Sequence, residues 1–373
     1  MNYRFFTYFF YLALLSIAAM AQQNPKNLDL RWNTDISKRV APLEEFTALL
    51  LADEIPPIDR PEFWNADQAL RQYFTHEPVI ALEIGGEAKA FPLSVLTYHE
   101  IVNDSIGGIP VSVTYCPLCN AAIIFDRRLN FNGDHWLLDF GVSGMLRNSD
   151  LVMWDRQTES WWQQFTGEAL VGKLAGAKLS YLSSMIISLE EFTNSYPAGK
   201  ILSTHTGHNM EYGTNPYTGY DDPGNSRPRL YFGELDLRLP AMERVVDIHI
   251  NGKYKIYPLS VIQQKEVLND HFEGREIVIF YTSKTVSVLD EHQISESKEI
   301  GSVTVFNPMV EGRNLTFLKN TEGFVDEQTG SVWSITGKCI SGELNGNSLW
   351  PLVHGNHFAF AWFAFHPNSE IFE

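Results

Sequence analysis

Cysteine is scarce, with three residues in a chain of 373. That excludes a fold stapled by disulfides, which needs several pairs in a far shorter chain. Basic residues are also short, 28 Lys and Arg against 45 Asp and Glu, for a formal net charge of −17. Nucleic acid is therefore not an expected partner, because phosphate binding needs a clustered basic patch and none occurs. No GxGxxG follows a strand, and there is no Walker loop and no G-x-S-x-G elbow. Nucleotide and serine-hydrolase chemistry thus lack their usual carriers. After residue 20 no run is apolar enough to cross a bilayer.

What is present begins with "MNYR", then the 16-residue apolar stretch "FFTYFFYLALLSIAAM", then Ala19-Met20-Ala21. A basic start, an apolar core and a small-x-small site predict a signal peptide over residues 1–21. A membrane anchor would need about 20 apolar residues, and no cysteine follows the cleavage site to carry a lipid. The mature chain is expected outside the cytoplasm, periplasmic or extracellular, with an N-terminal extension over 22–64. A chain this long holds its core by ordinary burial, and 13% aromatic residues suit a β-rich protein.

The chain repeats itself. "VIALEIGGEAKAFPLSVLTYHEIVND" (79–104) reads like "VVDIHINGKYKIYPLSVIQQKEVLND" (245–270). Each predicts a hairpin closed by Gly-Gly or Asn-Gly, then Pro-Leu-Ser opening a short helix that runs to Asn-Asp. "LRNSDLVMWDRQTESWWQQFTGEALVG" (146–172) is matched, with two gaps, by "LKNTEGFVDEQTGSVWSITGKCISG" (318–342). Blocks in the same order at a similar offset indicate a tandem duplication. The fold class expected is α+β and β-rich, with two duplicated modules, each carrying β-hairpins and a short helix. The modules span 65–203 and 241–373. Between them, 204–240 is rich in Gly, Pro and Tyr and reads as an irregular connecting segment, a linker or a functional loop. Two like modules can satisfy each other within one chain, so a monomer is the expected state.

Comparison of the halves separates architecture from chemistry. Asp155, Gln157, Thr158 and Trp162 have counterparts in Asp326, Gln328, Thr329 and Trp333, which points to turn chemistry and packing. Cys116 and Cys119 align with Thr282 and Thr285, and His99 aligns with Lys265. The Cys-Pro-Leu-Cys element therefore marks a specialised site in the first half. A Cys-x-x-Cys pair admits several readings. It can be a labile, redox-active disulfide, although a strand follows it and not the long helix of a thioredoxin-like motif. It can be half of a zinc site, or a copper(I) site favouring soft ligands. It can also be an inert staple or two buried thiols. A cysteine nucleophile activated by His99 is disfavoured by an oxidising compartment. For a metal, further ligands would come from His99, His205, His208, His354, His357, Met145 or Met153. Cys339 aligns with Ala169 and is expected to pack as a small apolar residue.

Three further features carry expectations. The alternation after His357, in "HFAFAWFAFHPNSEIF", predicts a buried strand with His366 at its exit. Neighbouring Trp161 and Trp162 point to opposite faces of a strand. Trp162 is then the core residue, and Trp161 is exposed or lines a pocket where a planar or sugar-like ligand could stack. Arg147 and Asp155 join Trp161 as candidate ligand contacts.

"VTYCPLCNAAIIFDR", "GVSGMLRNSDLVMWDRQTESWWQQFTGEAL", "YGTNPYTGYD", "LPAMERV" and "FAFAWFAFHPNSEIF" together resemble the domain of unknown function 3179 (DUF3179) family. The resemblance runs from about residue 65 to the end and implies an exported protein, but it brings no reaction. Three functions stay open: a copper- or zinc-binding protein acting as chaperone, store or enzyme; a thiol–disulfide oxidoreductase; and a non-catalytic ligand-binding module.

Overall fold

Gly85-Gly86 and Asn251-Gly252 sit at matching points of the chain, all four with positive φ (58° and 83°, 53° and 79°). Two successive left-handed residues make the tight turn whose twist matches paired strands, which is why Gly or Asn stands there. The hairpins they close, Pro78–Ile84 with Glu87–Pro92 and Arg244–Ile250 with Lys253–Pro258, are both antiparallel. The computed structural model describes residues 32–373, so the expected signal peptide lies outside the described residues. The described chain is α+β and strand-rich. Its five α-helices are α1 (Ala66–Ala69), α2 (Leu93–His99), α3 (Leu189–Ser195), α4 (Leu259–Lys265) and α5 (Ala359–Phe365).

Helices α2 and α4 start directly after Pro92 and Pro258, where a fixed φ suits a helix start. Each ends on a left-handed glutamate, Glu100 (φ 58°) or Glu266 (φ 55°). The Asn-Asp pairs expected to end these helices instead lie inside the following strands, Ile101–Ile106 and Val267–Phe272. The left-handed residue reverses the chain four positions earlier than composition suggests.

The same strand order occurs twice. Met185–Ser188, Pro78–Ile84, Glu87–Pro92 and Lys200–Leu202 pair in sequence, the last contact parallel. Asn356–Phe358, Arg244–Ile250, Lys253–Pro258 and Glu370–Ile371 pair in the same way. A four-stranded run Ile101–Ile106, Ile109–Cys116, Ala121–Asp126, Ser180–Leu182 has its like in Val267–Phe272, Arg275–Thr282, Ser302–Asn307, Trp350–Pro351. A third set, Phe140–Arg147, Asp150–Asp155, Trp161–Gln163 and Ala169–Val171, matches Phe317–Lys319, Phe324–Asp326, Val332–Trp333 and Cys339–Ser341.

The halves are interlocked. Ile186 pairs with Val303, which joins strands of both halves into one nine-stranded sheet. On the other side, the Phe358 amide donates to the Cys119 carbonyl at 3.0 Å. One buried apolar cluster accordingly runs from Ile58 to Phe363.

Two expectations are corrected. Residues 359–365 form helix α5, not a strand, and Ala359, Phe360, Ala361, Trp362 and Phe363 are all buried. The alternation there is of large and small side chains in a helix enclosed on several sides, which mimics an in-and-out strand pattern. It ends at His366 before Pro367, as α3 ends at Tyr196 before Pro197. Trp161, expected to be exposed or to line a pocket, is 1% exposed. Its outer face is covered by the N-terminal extension, with Phe46 and Trp32 rings at 5.5 and 5.6 Å. Both tryptophans are core residues because both faces of their strand are covered.

Candidate metal centre

The two cysteines sit on a hairpin. Ile109–Cys116 and Ala121–Asp126 pair with Cys116 opposite Ala121, leaving Pro117–Leu118–Cys119–Asn120 as the turn. Asn120 closes it in the left-handed region at φ 51°, a conformation Asn tolerates better than most residues, and its amide donates to the Pro117 carbonyl at 3.2 Å.

The turn is held from three sides. The Asn120 side-chain amide donates to the Asn356 backbone and side-chain oxygens at 3.2 and 3.3 Å. The Tyr220 hydroxyl donates to the Leu118 carbonyl at 2.9 Å, and Phe358 holds the Cys119 carbonyl. Tyr220 belongs to 204–240, which contains no helix or strand yet buries Tyr217 and Tyr220 and brings Tyr220 against this turn. The thiols are carried by the first half, but their walls come from the connecting segment and the C-terminal half.

The third member of the group is Asp150. It opens the strand after a turn whose residues Asn148 and Ser149 are left-handed (φ 53° and 68°). The ligand atoms of Cys116, Cys119 and Asp150 all lie within 4.8 Å of one another, and these residues are 2%, 0% and 0% exposed. Oδ2 of Asp150 accepts from the Gln163 amide at 2.6 Å and the Phe165 backbone N–H at 2.9 Å. Oδ1 is buried with no N–H or O–H donor among the described residues, and the only further donors to this carboxyl are the weak S–H groups of Cys116 and Cys119. An unpaired buried oxygen of this kind costs about 1–3 kcal/mol, so its position calls for an explanation.

Both thiols are free. Burial pushes the Cys116 thiol up, partly opposed by hydrogen bonding from Cys119, and burial beside Cys116 pushes Cys119 well up. Burial raises Asp150 to about 7 against the pull of its two N–H donors and of the Cys116 and Cys119 thiols. Glu100 rises to about 8 through burial and then the nearby Asp150. These acids all hold their protons more tightly than in water because charge cannot be solvated there.

A pH dependence follows. Glu77, also buried, is raised to about 7 by desolvation. Unfolded carboxyls ionise near pH 4, whereas in the fold these three stay protonated to about 7 or 8. Between those limits these three groups hold fewer protons in the unfolded chain than in the fold, so their contribution to stability falls as pH rises. Below about pH 6.5 the histidines that burial lowers, His354 and, to about 4, His99 and His366, oppose this trend, so for metal-free protein the urea midpoint is expected to drop from pH 6.5 to pH 8. A midpoint that rises over this window contradicts these protonation states.

None of the histidines expected as ligands belongs to the group. His99 is tied to the Pro56 carbonyl and the Tyr212 hydroxyl, both at 2.6 Å, and burial lowers it to about 4. His208 lies against the His99 ring at 5.4 Å. His205 sits on the Trp64 edge near Glu62. His354 holds the Leu352 carbonyl, and His357 faces Asp247 at 3.2 Å. Met145 packs in the cluster that holds Trp161, and Met153 lies across from Trp162. Asp155 spends its oxygens on Thr158 and the Trp162 indole. Arg147 pairs with Glu45 at 2.6 Å and reaches Gln163 at 3.2 Å. Asp150 was not legible as a ligand from sequence. Its only signal is an acid opening a buried strand directly after an Asn-Ser turn.

The turn itself is testable. Asn120→Gly keeps the left-handed backbone but loses the side-chain bonds to Asn356, for an expected loss of about 1–2 kcal/mol. Asn120→Val adds the strain of a β-branched residue at positive φ, about another 1–2 kcal/mol. Urea unfolding of the two variants checks the order.

A family model described as "Protein of unknown function (DUF3179)" matches residues 52–369. No curated protein matches the chain, and no solved structure does.

Proposed function

The chain belongs to the DUF3179 family, whose description assigns no reaction, and from that premise we propose that Cys116, Cys119 and Asp150 bind one thiophilic metal ion, with zinc(II) the best fit. The observation that carries this reading is the buried Asp150 Oδ1, which has no N–H or O–H donor and only the weakly donating thiols of Cys116 and Cys119 beside it. A cation supplies a stronger partner than the long S–H contacts found there. It turns three costly buried acids into paired ligands.

The donor set favours zinc. Tetrahedral zinc with S at about 2.3 Å and O at about 2.1 Å separates its donors by about 3.6–3.8 Å. A group already within 4.8 Å needs to contract by no more than about 1.2 Å. Copper(I) would be content with the two sulfurs and has little use for a carboxylate oxygen. Three protein ligands leave a fourth position open, the arrangement of a zinc that polarises a substrate or activates water. Burial of all three ligands supports a resident ion over a cargo passed between proteins.

The second half offers a contrast. Thr282 and Thr285 stand where the cysteines stand, and Glu191, reaching across from helix α3 of the first half, accepts from Thr282, from Ser302 and from Ser188. Every oxygen of that acid is used, and no thiol is present. The recurring strand order supports reading 65–203 and 241–373 as descendants of one unit, with metal chemistry confined to the first. Thiol–disulfide exchange is less well supported, since it needs an accessible thiolate and both sulfurs are buried with raised pKa. No helix among the described residues is long and apolar enough to cross a membrane. Export remains a proposal resting on the N-terminal pattern.

Metal analysis of protein purified under reducing conditions is expected to give one zinc per chain. Because both thiols and part of the Asp150 population are protonated at neutral pH, uptake is expected to release two to three protons. Apparent affinity then rises about 100- to 1,000-fold per pH unit near pH 7. Absence of zinc and copper, before and after incubation with either metal, overturns the proposal.

A further inference from the structure

A polar chain runs inward from the surface to the candidate ligand Asp150. Glu45, on the N-terminal extension, accepts from Arg147 at Nε (2.7 Å) and Nη2 (2.6 Å). Arg147 Nη1 donates to the Gln163 side-chain oxygen at 3.2 Å. The Gln163 amide nitrogen then donates to Asp150 Oδ2 at 2.6 Å. Gln163 is 0% exposed, so its amide has few alternatives.

The direction of the chain is dictated by chemistry. A guanidinium only donates, so Arg147 compels Gln163 to turn its oxygen outward and its NH2 inward. That NH2 and the Phe165 backbone N–H both land on Oδ2. The carboxylate is thereby locked about its own axis, and Oδ1 is the oxygen left over for a metal. Arg147 also lies 5.9 Å from the Phe365 ring centroid, and Phe365 stacks at 4.7 Å on Phe165, whose amide is the second donor.

We propose that Gln163 and Arg147 are positioning residues that aim Asp150 Oδ1 at the metal and so make the site select zinc(II) over copper(I). The inference rests on the metal reading of Cys116, Cys119 and Asp150. Zinc draws on the oxygen ligand, whereas copper(I) is satisfied by the thiol pair. Loss of the aiming residues therefore weakens one metal and spares the other. A residue that merely supports the fold would weaken both.

The test measures zinc and copper(I) affinities by competition with chromophoric chelators in wild type, Gln163→Met and Arg147→Met. Gln163→Met is expected to bind zinc about 10- to 100-fold more weakly, the usual effect of removing an outer partner of a ligand. Copper(I) binding is expected to change by less than about threefold, since the two sulfurs it uses are untouched. Arg147→Met, at a position 19% exposed where Gln163 is fully buried, shifts zinc in the same direction by a smaller factor. Cobalt(II) in place of zinc adds a spectroscopic signature, because the d–d bands change when the carboxylate leaves while the thiolate charge-transfer bands persist. Parallel weakening of both metals, or unchanged zinc affinity in both variants, overturns the inference. Wild type that binds copper(I) but not zinc overturns it too, while leaving a metal site in place. Wild type that binds neither metal removes the underlying reading instead.

Discussion

Replacing both thiols, Cys116→Ser with Cys119→Ser, is expected to weaken zinc binding by at least about 10⁴-fold. Structural zinc affinity of about 10–16 kcal/mol comes mostly from thiolate and imidazole donors, and two of the three donors here are sulfurs. Serine hydroxyls at these positions stay protonated and neutral, so a lone carboxylate remains. The loss should also be visible as stability. An ion that binds only the folded chain, present at 1,000 times its Kd, stabilises it by about 4 kcal/mol. Wild type is therefore expected to unfold at a clearly higher temperature with zinc than with chelator, and the double variant at the same temperature under both conditions. Without metal the variant is expected to fold normally, because Ser fits the space of Cys and the turn is held by Asn120, Tyr220 and Phe358. Equal zinc content in wild type and double variant, by mass spectrometry of the metal, would defeat the assignment of the site.

The largest stability effect is expected at Asp155→Ala, far from any proposed chemistry. Asp155 is 0% exposed. It accepts from the Thr158 N–H (2.7 Å), the Thr158 hydroxyl (2.9 Å) and the Trp162 indole N–H (2.8 Å). Truncation strands the indole donor in a fully buried position and unlocks the turn, for a loss of about 3–5 kcal/mol, in the range for breaking a buried charged network. Asp155→Asn keeps an acceptor and is expected to lose about half as much. Asp326 offers an internal control, since it accepts from Thr329 N–H (2.6 Å), the Thr329 hydroxyl and the Trp333 indole (3.0 Å). Asp326→Ala should match Asp155→Ala within about 1 kcal/mol in urea unfolding. A mild effect at Asp155 alone would mean that it serves something other than this turn.

That pair of aspartates shows how far the chain could be read by eye. Asp-x-Gln-Thr-x-Ser-x-Trp in 155–162, set against 326–333, marks residues that hold a turn, and the bonds are the same at both places. The Gly-Gly and Asn-Gly hairpins, and the helices after Pro-Leu-Ser, were equally plain, because turn chemistry and short periodicity are local. The cysteine pair was visible as the feature that the second half lacks. Helix α5 reads as a strand from sequence, since alanine and aromatic residues alternate along it and burial on several sides erases the polar face that would distinguish a helix. Trp161 was misread because a strand's own pattern does not say what covers its second face.

Composition and spacing by themselves determined the β-rich architecture, the Cys-Pro-Leu-Cys turn and the poverty of basic residues. These depend on residues near one another along the chain, whose preferences act before any packing. Only the tertiary structure decided which acid meets the thiols, why no histidine does, and that Tyr220 and Phe358 hold the turn. Asp150, Gln163 and Asn356 lie far from Cys119 in sequence. Their meeting depends on which strands pair and which faces are buried, a choice made by the whole core and encoded in no single segment.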